Sequence, residues 1–219
     1  MKNTTEISRE LIFTIYGDYI LNRGHRPTSV YAFAKENNFE EKEFYHFFAN
    51  FHEIEKEIIN HFFQKSFELV FKEPGAKEMS AKEKLLNVYF VFFENLSMNR
   101  SLVLTLLKNS KLEQLKTLEA LRTSFFNFID NIDFKNVEIF ENARDQTKKL
   151  FQKSRHAALW LHLLSIIEFW KNDNSADFVK TDIFIEKTID TGFEIVENEA
   201  LRKLFDLGKF LWQEKIKTN

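Results

Sequence analysis

The side chains able to do covalent or metal chemistry are few and poorly spaced for it. Cysteine is absent from the 219 residues, so there is no thiolate nucleophile, no disulfide frame and no sulfur-ligated metal. His52 stands beside Glu53 and Glu55, and His156 and His162 share one apolar segment. A spacing of six puts those two histidines on different faces of a helix, so no metal site is expected. There is no nucleophile elbow, no His-Glu-x-x-His and no glycine-rich phosphate or dinucleotide loop, and five glycines are too few to line one. No catalytic residue and no cofactor is expected, and the chain does not read as an enzyme. What it offers instead is a set of hydrogen-bonding groups without a reacting centre. Thr28 and Ser29 are neighbours, Tyr45 and His46 are neighbours, and Arg26 and Lys42 lie close to them in sequence. Hydroxyls, a helix-start N–H and two cations are the means of holding a phosphate or a base edge.

Composition bounds the fold that must position these groups. Hydrophobic residues make up 44%, which excludes a disordered chain. Two prolines and five glycines are too few for the turns of a β-sandwich or barrel. Lys and Arg number 31 against 33 Asp and Glu, a net charge of −2, so no general attraction to nucleic acid or an anionic membrane follows. Residues 1–9 are polar, unlike a signal peptide, and the longest apolar runs are interrupted by His162 and Glu168. A cytoplasmic protein is expected, with a membrane partner not expected. Phenylalanine is abundant, at 26 residues. That abundance fits the coding bias of an AT-rich genome and also an aromatic-lined cavity for an apolar ligand.

Apolar spacing is helical almost throughout. Ile7, Leu11, Ile15, Tyr19 and Leu21 stripe a first helix that stops at Gly24. A second opens at Pro27-Thr28-Ser29 and ends near Asn37-Asn38, and a third runs from about Glu40 to Phe47. Asn50-x-x-Glu53, Ser80-x-x-Glu83 and Ser110-x-x-Glu113 read as capping boxes at the starts of three more helices. Pro74-Gly75 breaks the first of these, and the last carries its stripe through to Ile129. Helix resumes at Val137 and reaches Trp170, Asn172–Ser175 is a turn, and two further helices cover about Asp177–Glu197 and Glu199–Lys217. The predicted class is all-α, with nine or ten helices.

One segment has a distinctive rhythm. Gly24, Thr28-Ser29-Val30, Phe33-Ala34, Phe39, Phe44-Tyr45-His46-Phe47-Phe48 and Asn50-x-x-Glu53-Ile54 follow one another at fixed spacing over about 30 residues. Two short helices form a helix-turn-helix, the unit that lays its second helix in the DNA major groove. The run resembles the N-terminal domain of TetR-family transcriptional regulators. That resemblance implies a DNA-binding domain over residues 1–50 and an effector-binding and dimerisation domain over 51–219. It makes double-stranded operator DNA a partner, with Arg26, Thr28, Ser29, Lys42, Tyr45 and His46 as contacts. The recognition helix departs from the family pattern, carrying Glu40, Glu41 and Glu43, and Phe51 stands where the family often has a lysine. Four Lys or Arg and five Glu between residues 23 and 53 give the module a net charge of −1, against the usual reliance on phosphate neutralisation.

The rest is read from pattern. Ala157–Trp170 is apolar on nearly every face and must be covered on all sides. A homodimer interface through Leu163, Ile167, Trp170, Ile185, Ile189 and Phe193 is expected. Tyr89, Phe90, Phe93, Phe125, Phe126, Phe128 and Trp160 are the candidate lining of a cavity for a small hydrophobic effector. The final segment, with Leu201, Leu204, Phe205, Leu211, Trp212 and Ile216 in one stripe, reads as a capping helix or an interfacial amphipathic one. In outline the chain is also similar to the ubiquinone-biosynthesis lipid-binding proteins, which share the TetR architecture. That similarity implies the alternative function, a lipid- or isoprenoid-binding protein that has lost DNA binding.

Overall fold

The computed structural model describes residues 7–108, 110–134 and 145–197. Among them are ten α-helices, one 3-10 turn and no strand, so the predicted all-α class is the observed one. The helices are α1 (Arg9–Arg23), α2 (Val30–Glu36), α3 (Glu41–Tyr45), α4 (Phe51–Lys72), α5 (Ala81–Met98) and α6 (Arg100–Leu106). They continue with α7 (Lys111–Thr117), α8 (Glu119–Asp130), α9 (Asp145–Asn172) and α10 (Val179–Glu197). The start of the helix expected at Val137 and the whole of the final amphipathic helix lie outside the described residues.

Local chemistry sets most of the boundaries. Ser8 Oγ accepts from the Leu11 N–H at 3.2 Å and opens α1. Gly24 closes it at φ 72, a left-handed conformation, and sends its N–H to the Ile20 carbonyl at 2.8 Å. Asn50 Oδ1 accepts from the His52 and Glu53 N–H groups at 2.9 and 3.1 Å to open α4. Ser80 and Glu83 cap α5 reciprocally: Glu83 N–H reaches Ser80 Oγ at 3.2 Å, and Ser80 N–H reaches Glu83 Oε2 at 2.7 Å.

Four details differ from the expected pattern. The buried face of α1 is Ile12, Tyr16 and Ile20, one residue on from the anticipated stripe, and Leu21 is exposed. A tyrosine takes the central inward position because a carboxylate waits for its hydroxyl there. The long helix expected after Ser110 breaks into α7 and α8 at Leu118. Thr117 Oγ1 donates to the Glu113 carbonyl at 3.1 Å, a back-bond of the kind that bends helices. The third helix is shorter than expected at both ends, since Glu40 is still extended and serves as its cap. Finally, α10 starts at Val179 rather than Asp177, because Asp177 and Phe178 hold φ of 50° and 57° and cannot be helical.

By contact the chain forms two units. The first comprises Met1–Leu69 and Phe92–Asn127, and the second Val70–Val91 and Phe128–Asn219. The hub of the first is Phe33, wholly buried, with the rings of Tyr16, Tyr19, Phe39, Phe44 and Phe51 edge-on at 5.6–6.2 Å. The second is built on Trp170, Leu163, Ile166 and Ile185, all buried within it.

Candidate nucleic-acid interface and effector region

In the first unit α2 and α3 pack against one another as a pair. Ser29 Oγ accepts from the Ala32 N–H at 3.1 Å and opens α2. Asn38, at φ 60, makes the turn, and the Phe39 N–H returns to the Ala34 carbonyl at 3.0 Å. Glu43 Oε2 accepts the Glu40 N–H at 2.7 Å at the start of α3. Val30, Phe33, Ala34, Phe39, Phe44 and Phe48 are buried and hold the pair in place. What remains outward is polar: Thr28, Ser29, Lys42, Tyr45 and His46 are all exposed. The Tyr45 ring is 52% exposed and meets Phe44 edge-on at 5.7 Å.

Three of the four Lys and Arg residues between residues 23 and 53 are engaged by carboxylates. Lys42 Nζ donates to Glu40 Oε2 at 2.7 Å, and Arg23 donates to Glu36 Oε1 at 2.7 Å. The Tyr45 hydroxyl donates to Glu41 Oε1 at 3.3 Å. Arg26 places two donors on Glu55, Nε on Oε1 at 2.7 Å and a terminal nitrogen on Oε2 at 2.5 Å. Glu55 is buried in α4 and also accepts from the Tyr16 hydroxyl at 2.6 Å. Burial, reinforced by the Glu55 charge, pushes the Tyr16 hydroxyl far above the usual tyrosine range, so it stays protonated and donates. Sequence reading missed both Tyr16 and Glu55. The available signal was a carboxylate inside the apolar run Ile54, Ile58 and Ile59, where an acid needs a buried partner.

In the second unit an aromatic and polar chain crosses α5, α9 and α10. Tyr89 is wholly buried, and its ring stacks on His162 at 5.8 Å. Thr188 donates its hydroxyl proton to the Phe184 carbonyl at 2.7 Å, so its oxygen is left to accept from His162 Nε2 at 2.8 Å. His162 is therefore the neutral Nε2–H tautomer, and burial lowers its proton affinity. Phe128 packs against Phe71 at 6.3 Å, Trp160 is buried, and Phe90 is half-buried. The other three candidates for lining a cavity belong to the first unit. There Phe93 meets Phe92 at 5.5 Å, Phe125 meets Phe63 at 6.0 Å, and Arg122 lies 4.9 Å over Phe126.

The residues named for a dimer interface sit mostly within the protomer. Leu163, Ile167, Trp170, Ile185 and Ile189 are each at most 4% exposed. Phe193 is half-buried and stacks on Phe134 at 6.2 Å. Among the described residues of the same two helices, the large apolar side chains that face outward are Leu161, Phe169, Val179 and Ile183. Phe169 and Phe184 lie parallel there, ring centroids 4.4 Å apart.

Two carboxylates organise the polar parts of this unit. Asp173 ties α9 to α10: its oxygens accept from the N–H and hydroxyl of Ser175 at 2.8 and 2.7 Å and from those of Thr181 at 2.9 and 2.7 Å. Burial alone would raise its carboxyl, but these donors outweigh it and hold the group at about 2. Asp130 accepts from Gln152 at 2.9 Å and from His156 Nε2 at 2.8 Å. His156 and His162 thus have separate partners, as their spacing requires. Among the described residues no cluster of three or more His, Asp or Glu could hold a metal ion. No described helix is long and apolar enough to cross a membrane.

Residues 84–211, more than half of the chain, match the family model described as Tetracyclin repressor-like, C-terminal domain. No curated protein matches the chain.

Proposed function

The chain belongs to the family carrying the tetracyclin repressor-like C-terminal domain, and on that premise we propose that it is a dimeric one-component transcriptional regulator. Residues 1–50 would read DNA, and residues 51–219 would bind a small apolar effector and hold the dimer. The observation that carries the reading is the α2–α3 pair. It is locked from within by Phe33 and its ring of aromatics, and it turns Thr28, Ser29, Tyr45 and His46 outward. Serine and threonine at the start of α2 offer a hydroxyl and backbone N–H to a phosphate, and α3 supplies the base-reading side chains. In the effector half, Tyr89, Phe90, Phe128 and Trp160 supply apolar surface, and His162 with Thr188 supplies a polar handle for orientation. The dimer would form on the outward strip of α9 and α10, Leu161, Phe169, Val179 and Ile183. Half-sites lie about 34–36 Å apart in such dimers, so a small pivot of the two heads releases DNA.

The test is a mobility shift on the DNA upstream of the chain's own gene, run over a range of salt. Binding should weaken as salt rises. Lys42→Ala and Tyr45→Phe should each weaken it further, and unchanged affinity would remove those two residues from the interface.

A second reading has a specific observation in its favour. Arg23, Arg26 and Lys42 are each held by a carboxylate of the same unit, which leaves little positive charge for phosphates. On this reading the scaffold binds a lipid or isoprenoid and has no operator. No shift at low salt, together with an extractable lipid in the purified protein, would decide for it.

A further inference from the structure

A groove of about 620 Å³ opens in the first unit between α1, α4 and the corner where α5 passes into α6. That volume suits a drug-sized molecule. Its floor is apolar: Phe13 from α1, Ile58 and Phe62 from α4, and Leu102 from α6. Gly17 lets the floor close, since a Cβ there would come 3.3 Å from a Leu102 methyl. At the rim Leu21 is 49% exposed and Met98 67% exposed, large apolar side chains left in water beside the opening.

One wall is acidic. Glu10, Thr14 and Asp18 stand at i, i+4 and i+8 on α1 and so line a single face, the two carboxylates about 12 Å apart along the axis. Neither carboxylate has an ion-pair partner among the described residues. On the facing walls are Arg100 and His61, and His61 meets Phe13 edge-on at 5.6 Å. Burial lowers the proton affinity of His61, so it adds no charge at neutral pH. The fixed charges lining the groove therefore sum to −1, with the negative ones gathered along α1.

We infer that this groove binds an amphipathic organic cation, its apolar body on Phe13, Phe62 and Leu102 and its charge toward Glu10 and Asp18. The site is separate from the effector region of the second unit and does not require that the protein bind DNA.

Tetraphenylphosphonium and tetraphenylborate share a shape and differ in the sign of their charge, so they separate the acidic wall from mere greasiness. Equilibrium dialysis of the full chain should show saturable binding of the phosphonium. The borate should bind at least tenfold more weakly. The double variant E10Q/D18N changes only exposed side chains and should lower phosphonium affinity about tenfold with no change in thermal midpoint. Thr14→Arg, which sets a cation between the two acids, should abolish phosphonium binding. Equal binding of the two probes, no saturable phosphonium binding, or full affinity in E10Q/D18N would each overturn the inference. The last result would move the cation to another site and leave the proposed regulator untouched.

Discussion

Glu55 occupies a position where an aliphatic side chain would have continued the apolar face of α4, and it links Tyr16 and Arg26 to that helix. Single polar groups of this kind fix where segments meet, and Asp173 does the same for the corner between α9 and α10. Asp173→Ala would leave four donors of Ser175 and Thr181 without their acceptor, and should cost about 2 kcal/mol in urea unfolding. Because the folded carboxyl sits at about 2, below its ordinary 3.8, its contribution is full above 3.8 and fades as pH falls toward 2. His162 works with the opposite chemistry. It is neutral in the fold and its proton affinity is lowered, so the unfolded chain takes up the proton first. Stability should therefore be full above the ordinary histidine value of 6.5 and decline as pH drops below it. His162→Gln keeps a donor for Thr188 and should flatten part of that decline, with His61 supplying the remainder. Unfolding curves taken from neutral to mildly acid pH read the histidine slope, and curves carried on below 3.8 toward 2 read that of Asp173.

Helix boundaries are set by short-range geometry that other parts of the fold respect. Gly24 is the clearest case: its φ of 72° ends α1, and nothing lies within 4 Å of where a Cβ would stand. Gly24→Ala should thus cost only backbone strain, about 1 kcal/mol, measured as a lowered denaturation midpoint with unchanged helix content. Caps written by Ser29, Asn50 and Ser80 were legible because an N-cap needs only one oxygen three residues ahead of one N–H. The inward face of α1 was not legible. Leu11, Ile15 and Leu21 are as apolar as Ile12 and Ile20, and the choice fell to the face whose tyrosine could reach Glu55. The bend at Leu118 was hidden for a similar reason, since a threonine back-bond leaves no mark in the apolar stripe.

At the scale of the molecule, burial within one protomer tests which surface is left for another. Ile185 and Leu163 have no exposure, so truncating them should destabilise the fold by about 2–5 kcal/mol rather than loosen an interface. Leu161 and Ile183 face outward, and Leu161→Asp with Ile183→Asp should convert the proposed dimer to a folded monomer in native mass spectrometry. A dimer that survives both changes would place the contact elsewhere. The expected interface missed this distinction because Ala157–Trp170 is apolar all round, and an all-apolar helix does not say which of its sides meets its own core. The aromatic residues proposed to surround an effector share that ambiguity, since a buried phenylalanine looks the same in sequence whether it fills a core or lines a cavity.

Sequence alone determined the all-α class, the order of most helices and the short helix pair between Gly24 and Phe48. Those follow from periodicity, caps and turn residues, which act over three or four positions. Tertiary structure alone decided that Arg26 is bound to Glu55, that the outward strip of α9 and α10 is not the buried one, and that Glu10 and Asp18 border a groove. Each depends on which side chains meet across tens of residues, and burial and charge pairing are settled only when the segments pack.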